Sequence, residues 1–308
     1  MKQLLIVTSI SFFFLGCERT AMNILADTEN LQKVSTKTGI SSQEDADYWY
    51  HNKAEITSYN LQQARYGEIH EGTATFVFVT EPFSTANYVK ADTPGKDNVS
   101  VLKLNQTRKF NTGIYPYSIM TSSFLPFKKG DHSIKVSSSS QEWCGHTYME
   151  VQNPQNGHFG VKVDSYFEGE TQDMTKSVAA LMEDDIWTII RLRENPPTGR
   201  NSMYPSLAAT RLLHIEYKPY SCNISSKNGE SSTFYTIEYP ELSRTLVIEY
   251  EQAHPHKIVG WTEQNYSGYG GNRQLLTTTA TRMQSINTDY WNRNSVADSS
   301  YRKELNLP

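Results

Sequence analysis

Residues 99–124 read VSVLKLNQTRKFNTGIYPYSIMTSSF. In the first half the side chains alternate. Val99, Val101 and Lys103 fall on one face, and Ser100, Leu102 and Leu104 on the other, which is the period of a strand. Asn111-Thr112-Gly113 then reverses the chain. The run that follows, 115–124, is rich in Tyr, Ile, Thr and Phe, which suit a pleated, half-buried surface. The stretch is therefore an antiparallel hairpin, and the same pattern recurs on both sides of it.

Upstream, 54–66 and 73–80 are two more strands, and Pro82 stops the second. Downstream, 133–140 and 142–152 pair in the same way. Asn153-Pro154-Gln155-Asn156-Gly157 then turns into 158–167, because Asn-Gly accepts positive φ at low cost. Strands resume at 207–217, 232–239, 245–251, 257–262 and 275–283. Between the two β runs, 174–182 has helical spacing with Thr171 or Asp173 as N-cap. The segment 185–193 fits helix or strand, and 285–291 fits a short helix. The expected fold is mainly β: a curved antiparallel meander or open β-barrel of about 11 strands with one or two short helices, since that many twisted strands must curl or close.

The first residues have another texture. Met1-Lys2-Gln3 is a short basic start, 4–15 is largely apolar, and Gly16-Cys17 precedes the polar Glu18-Arg19-Thr20. This is the pattern of a secretory signal peptide over 1–16. Leu15-Gly16-Cys17 resembles the bacterial lipobox, in which cleavage after Gly16 leaves Cys17 to carry lipid; Phe14 stands where a smaller aliphatic is usual. Residues 17–45 read as a lipidated N-terminus and polar tether with one helical turn over 24–33. Residues 46–308 read as a single β-rich domain. The expected localisation is the bacterial cell envelope, anchored at the outer membrane, with the membrane as partner through the acyl chains on Cys17.

The whole chain has 308 residues, a net charge of -4, 20% charged and 12% aromatic residues, and 19 tyrosines. That charged share is too low, and the aromatic share too high, for a disordered chain. No basic excess is present, so nucleic acid is not an expected partner. The three cysteines are Cys17, Cys144 and Cys222. With Cys17 acylated in an oxidising compartment, Cys144 and Cys222 are expected to form a disulfide; two free thiols are the alternative.

Few motifs carry chemistry. Trp143-Cys144-Gly145-His146 follows the thioredoxin-type pattern, but Thr147 replaces the second cysteine that must resolve a mixed disulfide. His254-Pro255-His256 is the one close histidine pair and the weak metal candidate; a solvated turn is the plainer reading of the intervening proline. No metal or other cofactor is expected. Phosphate-binding glycine motifs and the Gly-x-Ser-x-Gly elbow are absent, and Gly268-Tyr269-Gly270-Gly271 reads as a flexible loop. Three aromatic clusters, Tyr48-Trp49-Tyr50, Tyr115-Pro116-Tyr117 and Tyr266 with Tyr269, suit either sugar stacking or wall packing. Glu68, Glu71, Glu142 and Asp164 are the carboxylates available for acid–base work. Glycoside chemistry would need two of them about 5–10 Å apart.

Two segments, WYHNKAEITSYNLQQARYGEIHEGTATFVFVTEPF (49–83) and KLNQTRKFNTGIYPYSIMTSSFLPF (103–127), resemble a group of uncharacterised bacterial lipoproteins. SQEWCGHTYMEVQN (140–153) and HPHKIVGWTE (254–263) extend the likeness over most of the chain. Some of that group carry the name septum formation inhibitor Maf. Maf pyrophosphatases are cytosolic α/β proteins with an early Ser-x-Ser-Pro-Arg-Arg motif. In this chain no arginine follows a proline, so no Maf catalytic residue is carried over. The architecture is also similar to lipoprotein-carrier proteins, whose concave antiparallel sheet holds a helical plug. The resulting expectation is a non-catalytic binding or structural module holding an apolar or glycan ligand. The alternative is an envelope hydrolase acting on a sugar or nucleotide.

Overall fold

The computed structural model describes residues 43–127, 132–192 and 195–308. The expected signal peptide, Cys17 and the helical turn over 24–33 lie outside the described residues.

Helix α1 (Gln43–Trp49) leads into β1 (Ala54–Arg65), and β2 (Glu68–Ser84) returns along it. A two-residue β3 (Val89–Lys90) pairs with the end of β2. The meander continues through β4 (Asn98–Thr112), β5 (Tyr115–Pro126), β6 (Lys135–Glu142), β7 (Gly145–Gln152), β8 (His158–Ser165) and β9 (Gln172–Val178). β10 (Leu181–Met182) opens directly into helix α2 (Glu183–Leu192). Then come β11 (Gly199–Tyr204), helix α3 (Leu207–Leu213), β12 (Tyr220–Asn228), β13 (Ser232–Tyr239), β14 (Arg244–Glu251), β15 (Ile258–Ser267), β16 (Gln274–Thr288) and helix α4 (Ser300–Glu304).

All of this is one sheet of 16 strands, more than the 11 or so expected. β16 pairs antiparallel with β1, Ile286 opposite Ile56, and joins the two halves of the meander. The strand path starts at β10 and ends at β9, so its two edges are separated in sequence by Ala179 and Ala180 alone. No backbone ladder closes that seam among the described residues. The Tyr204 hydroxyl crosses it instead, donating to the Val178 carbonyl at 2.8 Å. The sheet curls round a common core that takes Tyr59 from β1, Phe76 from β2, Leu104 from β4, Tyr235 from β13 and Trp261 from β15.

The alternation in 99–124 sets the inward face. Leu102, Leu104, Gln106, Arg108 and Phe110 are buried, while Lys109 and Asn111 are exposed. Three segments depart from the sequence-based expectation. The 174–182 segment is mostly strand: β9 pairs Thr175 with Val161 and Ser177 with Phe159. Its i, i+4 spacing of Met174 and Val178 mimics a helix, and the hydrogen bonds to β8 override it. The 207–217 strand is instead helix α3, started by the Ser206 hydroxyl accepting from the Ala209 N–H at 3.1 Å. An apolar run of that length suits either element, and the serine cap decides it. The 285–291 segment continues β16 to Thr288 and ends in a 3₁₀ turn, Tyr290–Asn292.

Helix α2 is the plug of the barrel, with every residue from Glu183 to Arg191 buried. A helix covered on all sides belongs inside a core. The Trp187 ring stands edge-on to Phe76 at 5.3 Å and to Trp261 at 5.4 Å, and those two stack at 5.0 Å. The plug's charged ends are tied to the wall. Glu183 accepts from both terminal nitrogens of Arg244 (2.5 and 2.8 Å), and Arg191 donates to both oxygens of Glu55 at 2.7 Å. Asp185 accepts the Ser133 N–H, and Asp184 accepts the Leu207 N–H at 3.0 Å, joining plug to α3. Burial pushes the Asp184 carboxyl up to about 8. Burial would also raise the Glu55 carboxyl, but the Arg191 guanidinium more than offsets it and holds it below the usual range.

Candidate functional site

In a meander every second turn lies at the same end. The β1–β2, β4–β5, β6–β7, β8–β9 and β15–β16 turns therefore share one end of the barrel, the rim, and α3 lies beside them. Helix α1 and the 252–257 turn lie at the far end.

The β1–β2 turn is Tyr66-Gly67, with φ of 54° and 82°. A Cβ on Gly67 would come within 2.4 Å of the Asn272 carbonyl oxygen, so glycine lets the β1–β2 and β15–β16 turns touch backbone to backbone. The Gly67 N–H donates to the Ser267 hydroxyl at 3.2 Å. This contact places the Tyr269 ring 6.2 Å from Tyr66. From there a run of rings crosses the rim: Tyr66 to Tyr117 at 6.5 Å, Tyr117 to Tyr115 at 5.8 Å, and Tyr115 to Trp143 at 6.2 Å, the last pair stacked. Tyr269 and Trp143, at the two ends, are 64% and 67% exposed. Tyr117 is buried and stacks on Phe110 at 4.8 Å, anchoring the run to the core. Burial pushes the Tyr66, Tyr115 and Tyr117 hydroxyls above the usual phenol range.

Beyond Trp143, an open groove of about 420 Å³ runs over β6, β7 and β8. Its lining includes Ser139, Gln141, His146, Tyr148, Asp164 and Tyr166. The Tyr166 ring lies against Gly145, where a Cβ would come within 2.5 Å of it. Beneath the other end of the ring run is a small cavity of about 70 Å³, lined by residues that include Gln63, Arg65, Glu263, Asn265 and Leu212. Arg65 lies under the rings, its guanidinium 4.3 Å from the Tyr66 centroid and 5.5 Å from that of Tyr117. It donates to the Leu212 carbonyl and, at 3.3 Å, to the Tyr117 hydroxyl. Arg65 and Arg211 both approach His214 Nε2, at 3.4 and 3.2 Å. Arginine only donates, so Nε2 accepts and Nδ1–H faces the Glu170 carboxylate at 2.6 Å.

The structure separates the candidate residues. Tyr115, Tyr117 and Tyr269 join the rim. Tyr48, Trp49 and Tyr50 sit at the far end: Trp49 packs on Phe78 and under Arg191, Tyr50 on Phe127, and the Tyr48 hydroxyl donates to Glu55. Tyr66, Trp143, Tyr166 and Arg65 were missed as members of one site. The signal for them was turn parity, since residues 66, 143 and 166 all sit at every-second turns of the meander.

The expected disulfide is absent. Cys144 is an exposed free thiol in the β6–β7 turn, and Cys222 is a buried free thiol on β12. β11, β10, the seam, β9 and β8 lie between those strands, and a disulfide needs Cα atoms within about 7 Å. Burial pushes the Cys222 thiol up to about 11. His254 contacts α1 through Asp45 (2.9 Å) and Glu44 (3.3 Å), while His256 Nδ1 lies 3.2 Å from the Glu251 carbonyl oxygen. No group of three or more His, Cys, Asp or Glu able to hold a metal occurs among the described residues. Glu68, Glu71 and Asp164 are exposed, Asp164 paired with Lys162 at 2.8 Å. Glu142 is buried, accepting from Arg211 at 3.2 Å and from the Cys144 N–H at 2.7 Å. These four are spread over β2, β6 and β8, and none lines the small cavity.

No family model matches the chain, and no curated protein matches it. Among solved structures, it is similar to a beta-barrel-like protein of domain of unknown function DUF1849 from Brucella abortus. That likeness has 7% identity, covers 76% of this chain and 97% of the other, and has a TM-score of 0.45. A porin-like protein from Bacteroides uniformis matches at 10% identity, with 75% and 96% coverage and a TM-score of 0.21. At those scores neither likeness carries an argument.

Proposed function

We propose that this chain is a lipid-anchored protein of the bacterial cell envelope, held to a membrane through Cys17, and that its barrel is a non-catalytic glycan-binding module acting through its rim. The observation that carries the reading is the run of five rings from Tyr269 to Trp143, exposed at both ends, at the same end of the barrel as Tyr166, which lines the groove over β6 to β8. Flat apolar ring faces cover the C–H faces of sugars, while hydroxyl, amide and imidazole groups such as those of Ser139, Gln141 and His146 bind sugar hydroxyls. The filled lumen supports an outer binding face. The cavity beneath the rim, about 70 Å³, is well below the ~300 Å³ or more of ordinary small-molecule pockets.

A sedimentation assay with insoluble polysaccharides tests this. Peptidoglycan sacculi, chitin and cellulose are the three probes. Wild-type protein is expected to co-sediment with at least one. Trp143→Ala and Tyr269→Ala should each weaken that retention without lowering the melting temperature. No retention on any, or full retention of both variants, overturns the reading. Labelled palmitate should enter the wild-type chain and not Cys17→Ser.

A further inference from the structure

Among the described residues five arginines are buried: Arg65, Arg108, Arg191, Arg211 and Arg244. Four of them meet a carboxylate. Arg108 pairs with Glu263 at 2.7 Å, Arg191 with Glu55 at 2.7 Å, Arg211 with Glu142 at 3.2 Å and Arg244 with Glu183 at 2.5 Å. Arg65 is 5% exposed and makes no such pair among the described residues. Its partners are the neutral Tyr66 and Tyr117 hydroxyls, the Leu212 carbonyl and His214. Its Nε has no hydrogen-bond partner. An uncompensated buried cation is costly to fold around, and an anion beside it removes that cost.

We propose that the cavity at Arg65 is the subsite for a sugar carboxylate, so that the rim selects acidic glycans. This rests on the glycan reading of the rim. The free Nε–H and the adjacent Nη2 form one edge of the guanidinium, which matches the two oxygens of a carboxylate. Nη2 makes only long contacts, at 3.4 Å to the Tyr66 hydroxyl, 3.3 Å to that of Tyr117 and 3.4 Å to His214 Nε2. A carboxylate is three heavy atoms and fits a cavity of about 70 Å³; a whole sugar ring does not. The ring therefore stays outside, on Tyr66 and Tyr269. Gln63, whose Oε1 is also unpartnered, lines the same cavity and accepts a neighbouring sugar hydroxyl. Glu263 faces the cavity too, but its charge is met by Arg108 and, at 3.3 Å, by Arg244. Of the remaining carboxylates nearby, Glu142 is paired with Arg211, and Glu170 meets the Nδ1–H of the neutral His214 ring rather than Arg65 itself. Arg65 is the buried cation that no carboxylate touches directly.

Calorimetric titration of the full chain with matched sugar pairs tests this. Oligogalacturonate, hyaluronan oligomers and a muramic-acid glycan are each compared with their methyl esters, which keep the sugar and remove the charge. At least one acid should bind about tenfold or more tighter than its ester, with the gap narrowing as salt rises. Arg65→Lys should shrink that preference. Equal binding of acid and ester in every pair overturns the carboxylate subsite while leaving the rim as a glycan site. Binding by no sugar of either kind overturns both. A sugar phosphate that outcompetes every carboxylate overturns the carboxylate assignment.

Discussion

Arg191 and Glu55 face each other inside the barrel through two parallel contacts of 2.7 Å, with side chains 0% and 2% exposed. One belongs to the plug and the other to the first strand. The pair therefore holds α2 in register with the wall. Removing one partner leaves a buried charge alone, which costs about 3–5 kcal/mol. Arg191→Ala and Glu55→Ala should each lower chemical-denaturation stability by that order. Arg191→Met with Glu55→Leu should recover most of the loss, since apolar side chains of similar size replace buried pairs at little cost. A double variant no more stable than either alanine variant would show that this pair does more than fill and neutralise.

Asp184 gives the fold a pH dependence of definite sign. Its folded carboxyl titrates at about 8, against 3.8 as its ordinary value. Between those values the folded chain keeps a proton that the unfolded chain has released, so stability falls as pH rises. The contribution is full below the ordinary value and gone above about 8. Asp184→Asn keeps an acceptor for the Leu207 N–H and removes the proton. It should melt higher than wild type at pH 8 by roughly 1–3 kcal/mol of stability, with the gap closing toward pH 4. A gap that is constant across this range would contradict the assignment.

Gly67 joins the two turns that bring Tyr66 and Tyr269 together. Its φ of 82° and the Asn272 oxygen 2.4 Å from any added Cβ both exclude alanine. Gly67→Ala should cost about 1–3 kcal/mol and push the β15–β16 turn away. Sugar retention should fall with it. Retention unchanged in a folded variant would remove the Tyr66–Tyr269 contact from the binding surface.

The thiols offer a simple count. In folded protein lacking residue 17, a thiol reagent should modify Cys144 at once and Cys222 only on denaturation, because Cys222 is buried and its thiol pushed up to about 11. Denatured, non-reduced protein should show both thiols. No free thiol in that sample would restore the disulfide.

The strand pattern of 99–124 was legible because alternation reports the two faces of a sheet directly. The edge was not: in β9 nearly every residue is exposed, and Met174 and Val178 imitate a helix face. The plug was half legible. The spacing in 185–193 fits helix or strand, and the partners that bury EDDIWTIIRL as a helix, Arg244, Ser133 and Leu207, come from other parts of the chain. Local spacing cannot announce those contacts. At the rim, Tyr115, Tyr117 and Tyr269 stood out as aromatic clusters. Tyr66 and Trp143 did not, because each is a single ring in a turn, and only the antiparallel order of the strands brings those turns to one end.

Trp143 reports directly on glycan binding by the ring run at the rim. It is 67% exposed, while Trp49, Trp187 and Trp261 are buried. The deciding measurement is the fluorescence of wild type minus that of Trp143→Phe, titrated with soluble oligomers of the retained polysaccharide. A saturable change in wild type that is lost in Trp143→Phe is the predicted result. An identical change in both proteins, or none with any oligomer, would contradict it.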